Sequence, residues 1–336
     1  MGDLFKKLLV LRTAGIGPVK YNALLNQYGN DDAIIESLHM DNDFIDSVKR
    51  EMDLAYQMNI EYICDTDSRY PQNLLDIKNH PIVITARGNI ETLKKKKVAI
   101  VGTRHSTVAG MNFVCDLAQS FAEHDYAVVS GMAMGTDSAA HIGALKSHGN
   151  MNTIAVLGGG ADYIWPLENE SLYYEILERG VVISEMPVGL KPNGQNFVQR
   201  NRWVAGISDF LIISEADMKS GSMTTARFAK EYKKRVFAVP GHPSDSRSAG
   251  PNYLIKNGDA TLCMSPKDFF DDVKCENKKK NNTPKNDILD KLGMIPVSES
   301  VLANLVKKSI SEIKADLVVL ELQGLIRKQD GGYVLN

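Results

Sequence analysis

Between Val98 and Val239, short apolar runs alternate with longer stretches in which apolar residues recur at helical spacing. The runs Val98–Val101, Ala127–Val129, Thr153–Leu157, Val181–Ser184, Phe210–Ile213 and Arg235–Val239 read as buried strands bounded by turns. The stretches Asn112–Ala122, Asp137–Leu145, Asn169–Arg179, Phe197–Gly206 and Ala226–Tyr232 read as the helices between them. Strands without a polar face, each followed by a helix, predict an extended Rossmann-like α/β fold with a doubly wound, mostly parallel sheet. A further strand, Ile82–Ala86, follows Pro81 and stops before Gly88.

The flanks follow other patterns. Residues 1–64 read as a small helical domain. Leu8, Leu9 and Leu11 run into Thr13-Ala14-Gly15-Ile16-Gly17-Pro18, followed by helices over Val19–Tyr28 and Ala33–Leu38. A helix-hairpin-helix that grips phosphate fits this order; so does the plainer reading, a bundle that uses its glycines only to turn. Residues 65–276 then form the core. Residues 277–286 are polar and low in complexity, a linker. Beyond it, helices over Asp287–Leu292, Ser298–Val306 and Ser311–Leu322 and a hairpin on Asp330-Gly331 predict a winged-helix-like domain at 287–336.

In doubly wound sheets, ligands bind beyond the carboxyl ends of the strands. Those ends carry Gly102-Thr103-Arg104, Ser130-Gly131, Gly158-Gly159-Gly160, Ser184-Glu185 and Lys219-Ser220-Gly221-Ser222. The loop Asp217–Thr225 leaves a strand and opens a helix with small residues and one lysine. Free N–H groups and the positive helix end make such a loop a phosphate cradle, although an ordinary Ser/Thr-capped turn has the same composition. The stretch after the strand at Val98 is GTRHSTVAG, not GxGxxG, and no loop fits GxxxxGK[ST]. Neither a dinucleotide cofactor nor a P-loop nucleotide is indicated. Asp137 and His141, four residues apart, offer an acid and a base or, more simply, a cap and a helix-face partner.

Composition narrows the classes. Acidic residues number 41 and basic ones 39, a formal net charge of −2, which argues against a general polyanion-coating protein but not against a local basic groove. The run Lys94–Lys97 reads first as a solvated edge. The four cysteines form no CxxC pair, which speaks against zinc and a disulfide framework and for a reducing compartment. No signal-like cleavage site and no apolar stretch of ~20 residues is present, so the expectation is a cytoplasmic protein without a membrane partner.

The central block resembles the DprA (Smf) family of bacterial DNA-processing proteins. The matches are Arg69-Tyr70-Pro71, Val101-Gly102-Thr103-Arg104, Ser130-Gly131-Met132-Ala133 with Gly135, Asp137 and His141, and Ala155-Val156-Leu157-Gly158. They continue through Ser184-Glu185, Phe197 with Arg200-Asn201-Arg202, Glu215-Ala216, Ser220-Gly221-Ser222, Val239-Pro240-Gly241 and Gly250–Ile255. Trp165-Pro166 stands where Tyr-Pro is usual in the family. The resemblance implies a recombination mediator of natural transformation that binds single-stranded DNA without sequence preference and protects it. It also implies a homodimer formed through the core, loading of RecA, no cofactor and no catalytic turnover. It puts DNA or phosphate contacts on Gly102, Arg104, Ser106, Phe197, Arg200, Arg202, Lys219, Ser220, Gly221 and Ser222.

Arg104 can chelate a phosphate or pair internally with an acid such as Glu185. Arg200 and Arg202 lie about 200° apart on a helix, so both cannot enter one pocket unless the helix starts between them. Phe197 can stack a base or pack in the core. An enzymatic alternative, a nucleoside-monophosphate phosphoribohydrolase, resembles this chain in its cradle loop. It needs a glutamate where Arg227 stands.

Overall fold

The computed structural model describes residues 2–149, 151–270, 288–293 and 296–335. Residues 1–269 and 270–336 form two compact units. The first opens with four helices, α1 (Asp3–Arg12), α2 (Pro18–Tyr28), α3 (Asp31–Leu38) and α4 (Asn42–Gln57). Strand β1 (Ile60–Cys64), the short α5 (Gln72–Leu75) and β2 (Val83–Gly88) follow. The alternating block comprises β3 (Lys96–Val101), α6 (Val108–Glu123), β4 (Tyr126–Ser130), α7 (Thr136–Lys146), β5 (Thr153–Val156), α8 (Glu170–Arg179) and β6 (Gly180–Ser184). It continues with α9 (Gly194–Ile207), β7 (Phe210–Ile213), α10 (Gly221–Glu231), β8 (Arg235–Ala238), α11 (Ala249–Lys256) and β9 (Thr261–Leu262).

Among the described residues these strands make one sheet in the order β1-β2-β6-β5-β4-β3-β7-β8-β9. Strands β3 to β9 pair in parallel; β1 and β2 add an antiparallel edge next to β6. Side-chain direction alternates along each strand. Ile154, Val156, Val181 and Ile183 therefore face a core shared with Trp203, Val204 and Ile207 of α9 and Ala226 and Ala229 of α10. Ala155 and Val182 face Leu172, Tyr173 and Ile176 of α8. Helices thus cover both faces, as the doubly wound reading requires.

Reading all of residues 1–64 as helical fails at its end, since residues 60–64 are strand β1. Asn59 takes a left-handed conformation (φ 53°) that ends the helical path, and the β-branched and aromatic content of Ile60-Glu61-Tyr62-Ile63 suits a strand. Pairing with β2, from Ile60↔Arg87 to Cys64↔Val83, supplies its hydrogen bonds. Leu8, Leu9, Val10, Ile16, Tyr21, Ile34 and Val48 form a helical core that continues onto Ile82 and Val83. The Glu51 carboxylate joins the two layers, accepting from Arg12 at 2.7 and 2.8 Å and from the Tyr62 hydroxyl at 3.0 Å. Strand β9 was not expected, because two exposed residues leave no periodic trace.

The linker assigned to 277–286 lies outside the described residues. In the second unit, the helix expected over Asp287–Leu292 is, where described, a 3₁₀ turn at Leu289–Lys291, too short to show a 3.6-residue period. Helices α12 (Glu299–Val306) and α13 (Ile310–Leu322) and the hairpin of β10 (Ile326–Gln329) and β11 (Gly332–Leu335) complete it. They enclose Ile288, Leu302, Ile313, Leu317, Leu320, Ile326 and Tyr333. No helix among the described residues is long and apolar enough to cross a membrane.

Candidate functional site

The chain steps from β3 through β4 and β5 to β6 in one direction, then crosses back by α9 and steps outward from β7 to β9 in the other. The loops that leave the neighbouring strands β3 and β7 therefore diverge and open a crevice at their carboxyl ends. A cavity of about 610 Å³ lies there. Gly102 and Arg104 line it after β3, Gly131 after β4, Phe197, Arg200 and Asn201 along α9, and Ser220, Gly221 and Ser222 at the start of α10.

Local chemistry draws these loops together. The Ser222 hydroxyl donates to the Gly102 carbonyl at 2.6 Å, and the Thr103 N–H donates to the Glu215 carbonyl at 2.6 Å. The Glu215 carboxylate accepts from the Thr107 N–H at 2.8 Å and from its hydroxyl at 2.5 Å. Gly135 holds φ +77°, and a side chain there would meet the Thr103 and Arg104 carbonyl oxygens at 2.5 and 2.6 Å. Ser220 caps α10, its hydroxyl accepting from the Met223 N–H at 3.3 Å. Gly221 and Ser222 are the first two helical residues, whose N–H groups have no partner within the helix, and the positive end of the helix dipole adds to their pull on an anion.

Arg200 is only 5% exposed. Its Nη1 donates to the Val156 carbonyl at 3.0 Å, while its buried Nε has no hydrogen-bond partner. Asp137, 8% exposed, is the cavity's carboxylate and accepts from the Ala133 N–H at 3.4 Å. Burial raises its pKa, and the opposing charge of Arg200 only partly offsets this. Burial likewise lowers the pKa of Arg200.

At the rim, the rings of Trp165 and Phe197 stand 4.5 Å apart with a 40° tilt. The Arg104 guanidinium lies 5.1 Å from the Trp165 centroid and 5.6 Å from that of Phe197. An exposed cation over two aromatic faces offers charge and stacking together. Sequence reasoning did not select Trp165; its one signal was the departure from Tyr-Pro.

Three expected site residues do not line the cavity. The Ser106 hydroxyl donates to the Thr103 carbonyl at 3.0 Å and stands 2.7 Å from the Thr136 hydroxyl, so it braces the loop. Arg202 points away along α9, donating to the Tyr232 hydroxyl and the Lys78 carbonyl, each at 3.4 Å, with its guanidinium 4.8 Å from the Trp203 centroid. Lys219 lines an adjoining groove with Met218, Arg227 and Tyr253, because the cap at Ser220 turns the chain between the two. Asp137 and His141 form neither an acid–base pair nor a cap and its partner. Gly135 caps α7, and His141 is fully buried with Nδ1 2.6 Å from the Thr153 hydroxyl. Burial lowers the His141 pKa to about 3. Glu185 is not the partner of Arg104; it accepts from Gln199 at 2.8 Å and Trp203 at 2.7 Å.

The model of the family DNA recombination-mediator protein A matches residues 61–274, and that of the DprA winged helix domain matches 278–332. The chain belongs to the DprA/Smf family. Protein Smf of Escherichia coli K12 is a DprA/Smf relative 30% identical over 304 residues, 86% of this chain and 80% of that protein. Protein Smf of Synechocystis is 37% identical over 206 residues, 60% of this chain, which spans about half (51%) of that protein's length. The structure of DprA from Streptococcus pneumoniae is similar with a TM-score of 0.66 and 31% identity, over 80% of this chain and 97% of that one. That of DNA processing protein A from Helicobacter pylori, described for its unique single-stranded DNA binding mode, gives 0.59 and 30%, over 65% and 97%.

Proposed function

We propose that this protein binds single-stranded DNA by its sugar–phosphate backbone in the cavity between the ends of β3 and β7. The observation that carries this reading is the convergence of Gly102, Arg104, Arg200 and the first turn of α10 on one cavity at the switch of the sheet. Backbone N–H groups and two guanidinium groups suit phosphate, and the Trp165–Phe197 pair suits an unpaired base at the rim. The Helicobacter protein, described for its single-stranded DNA binding, supports the polymer as ligand.

The role is that of a recombination mediator in natural transformation. It protects incoming single strands and loads RecA without sequence preference, as a cytoplasmic homodimer joined through the core and without turnover. A nucleotide hydrolase is disfavoured by Arg227, which stands in the glutamate's place and lines the adjoining groove instead of the cavity. Incubation with AMP should release no ribose phosphate.

The reading is tested by fluorescence titration with labelled oligo-dT against its duplex. Single-strand binding should be tighter and should fall steeply with salt as counterions are released. A flat salt response or a preference for the duplex would contradict it.

A further inference from the structure

A grip on the backbone leaves the cavity floor unexplained. Asp137 stands among its lining residues, and a carboxylate repels phosphate. Gly131 sets the arrangement. It lines the cavity with Asp137, and a side chain in its place would fall on the Arg200 guanidinium. Asp137, when ionised, supplies the cavity with acceptors only. Arg200, against Gly131, is a buried donor set whose Nε is unfilled. The volume, about 610 Å³, is that of a small-molecule pocket, larger than one phosphate needs.

We propose that this floor receives one base of the bound strand and favours guanine. Guanine offers N1–H and N2–H to the Asp137 carboxylate and, beside them, O6 to the Arg200 guanidinium. Adenine, cytosine and thymine each give the carboxylate one donor group at most. The preference acts at a single nucleotide and rests on the backbone-binding reading, which holds the rest of the strand regardless of sequence.

The test displaces labelled oligo-dT from the full-length chain with 5′-mononucleotides. dGMP should displace it at a concentration about fivefold or more below that of dAMP, dCMP or dTMP. dIMP, which lacks the 2-amino group, should fall between; this arm needs only the wild-type protein. Asp137→Asn should narrow the dGMP-to-dAMP ratio. Equal displacement by all five nucleotides, or full equivalence of dIMP and dGMP, overturns the guanine slot while leaving the backbone reading intact. Failure of oligo-dT itself to bind overturns both.

Discussion

Helix α9 carries two arginines two residues apart, and their surroundings differ sharply. On its inner face Arg200 is buried, makes one hydrogen bond to a carbonyl, and feels the opposing charge of Asp137 while its Nε has no hydrogen-bond partner. On its outer face Arg202 is half-buried, with two long hydrogen bonds and an indole to lie against. Residue type is the same; only the rotation about the helix differs. Burying a guanidinium is unfavourable by several kcal/mol, and the Asp137 charge only partly compensates for Arg200, which leaves its unfilled Nε donor for a further acceptor. The outer arginine is already provided for. Under the proposed function, the difference puts ligand binding on one face of α9 and packing on the other.

The largest effect should come from Arg200→Ala. Charge-assisted hydrogen bonds contribute ~1.5–3 kcal/mol each, so oligo-dT affinity measured by fluorescence anisotropy should fall about 10- to 150-fold. Phe197→Ala should follow. A base stacked on an aromatic ring is worth ~1–3 kcal/mol, so a loss of about fivefold or more is expected, and a smaller loss would return Phe197 to core packing. Arg104→Ala removes an exposed contact. It should weaken binding to all sequences alike and reduce the slope of log affinity against log salt by about 0.7, the value for one phosphate of a single strand. Arg202→Ala should change affinity less than twofold, and its urea midpoint should report a stability loss of no more than about 1 kcal/mol. A large binding loss at Arg202 would break the contrast between the faces.

Much of this was legible in the chain. Strands β3 to β8 are apolar on both faces, which few other folds require. Strand β1 was hidden because it is short, follows a helix directly, and alternates polarity only loosely. The strand-end loops gave Gly102, Arg104 and Ser220–Ser222, since a parallel sheet gathers such loops at one edge. The helical period separated Arg200 from Arg202, but which one faces inward depends on the phase of α9, set by its packing against the sheet. Trp165 reaches the cavity from the long connection after β5, where no periodicity marks it. Asp137 was paired with His141 by spacing alone; the fold instead buries His141 against Thr153 and leaves Asp137 at the cavity.

The most direct measurement compares Gly131→Ala with Arg202→Ala in the oligo-dT titration. The new methyl would fall on the Arg200 guanidinium and displace it while every charge stays in the protein. Binding is predicted to drop markedly in Gly131→Ala and to stay near wild type in Arg202→Ala. Equal affinities for the folded Gly131→Ala variant and the wild type would contradict a grip centred on this cavity.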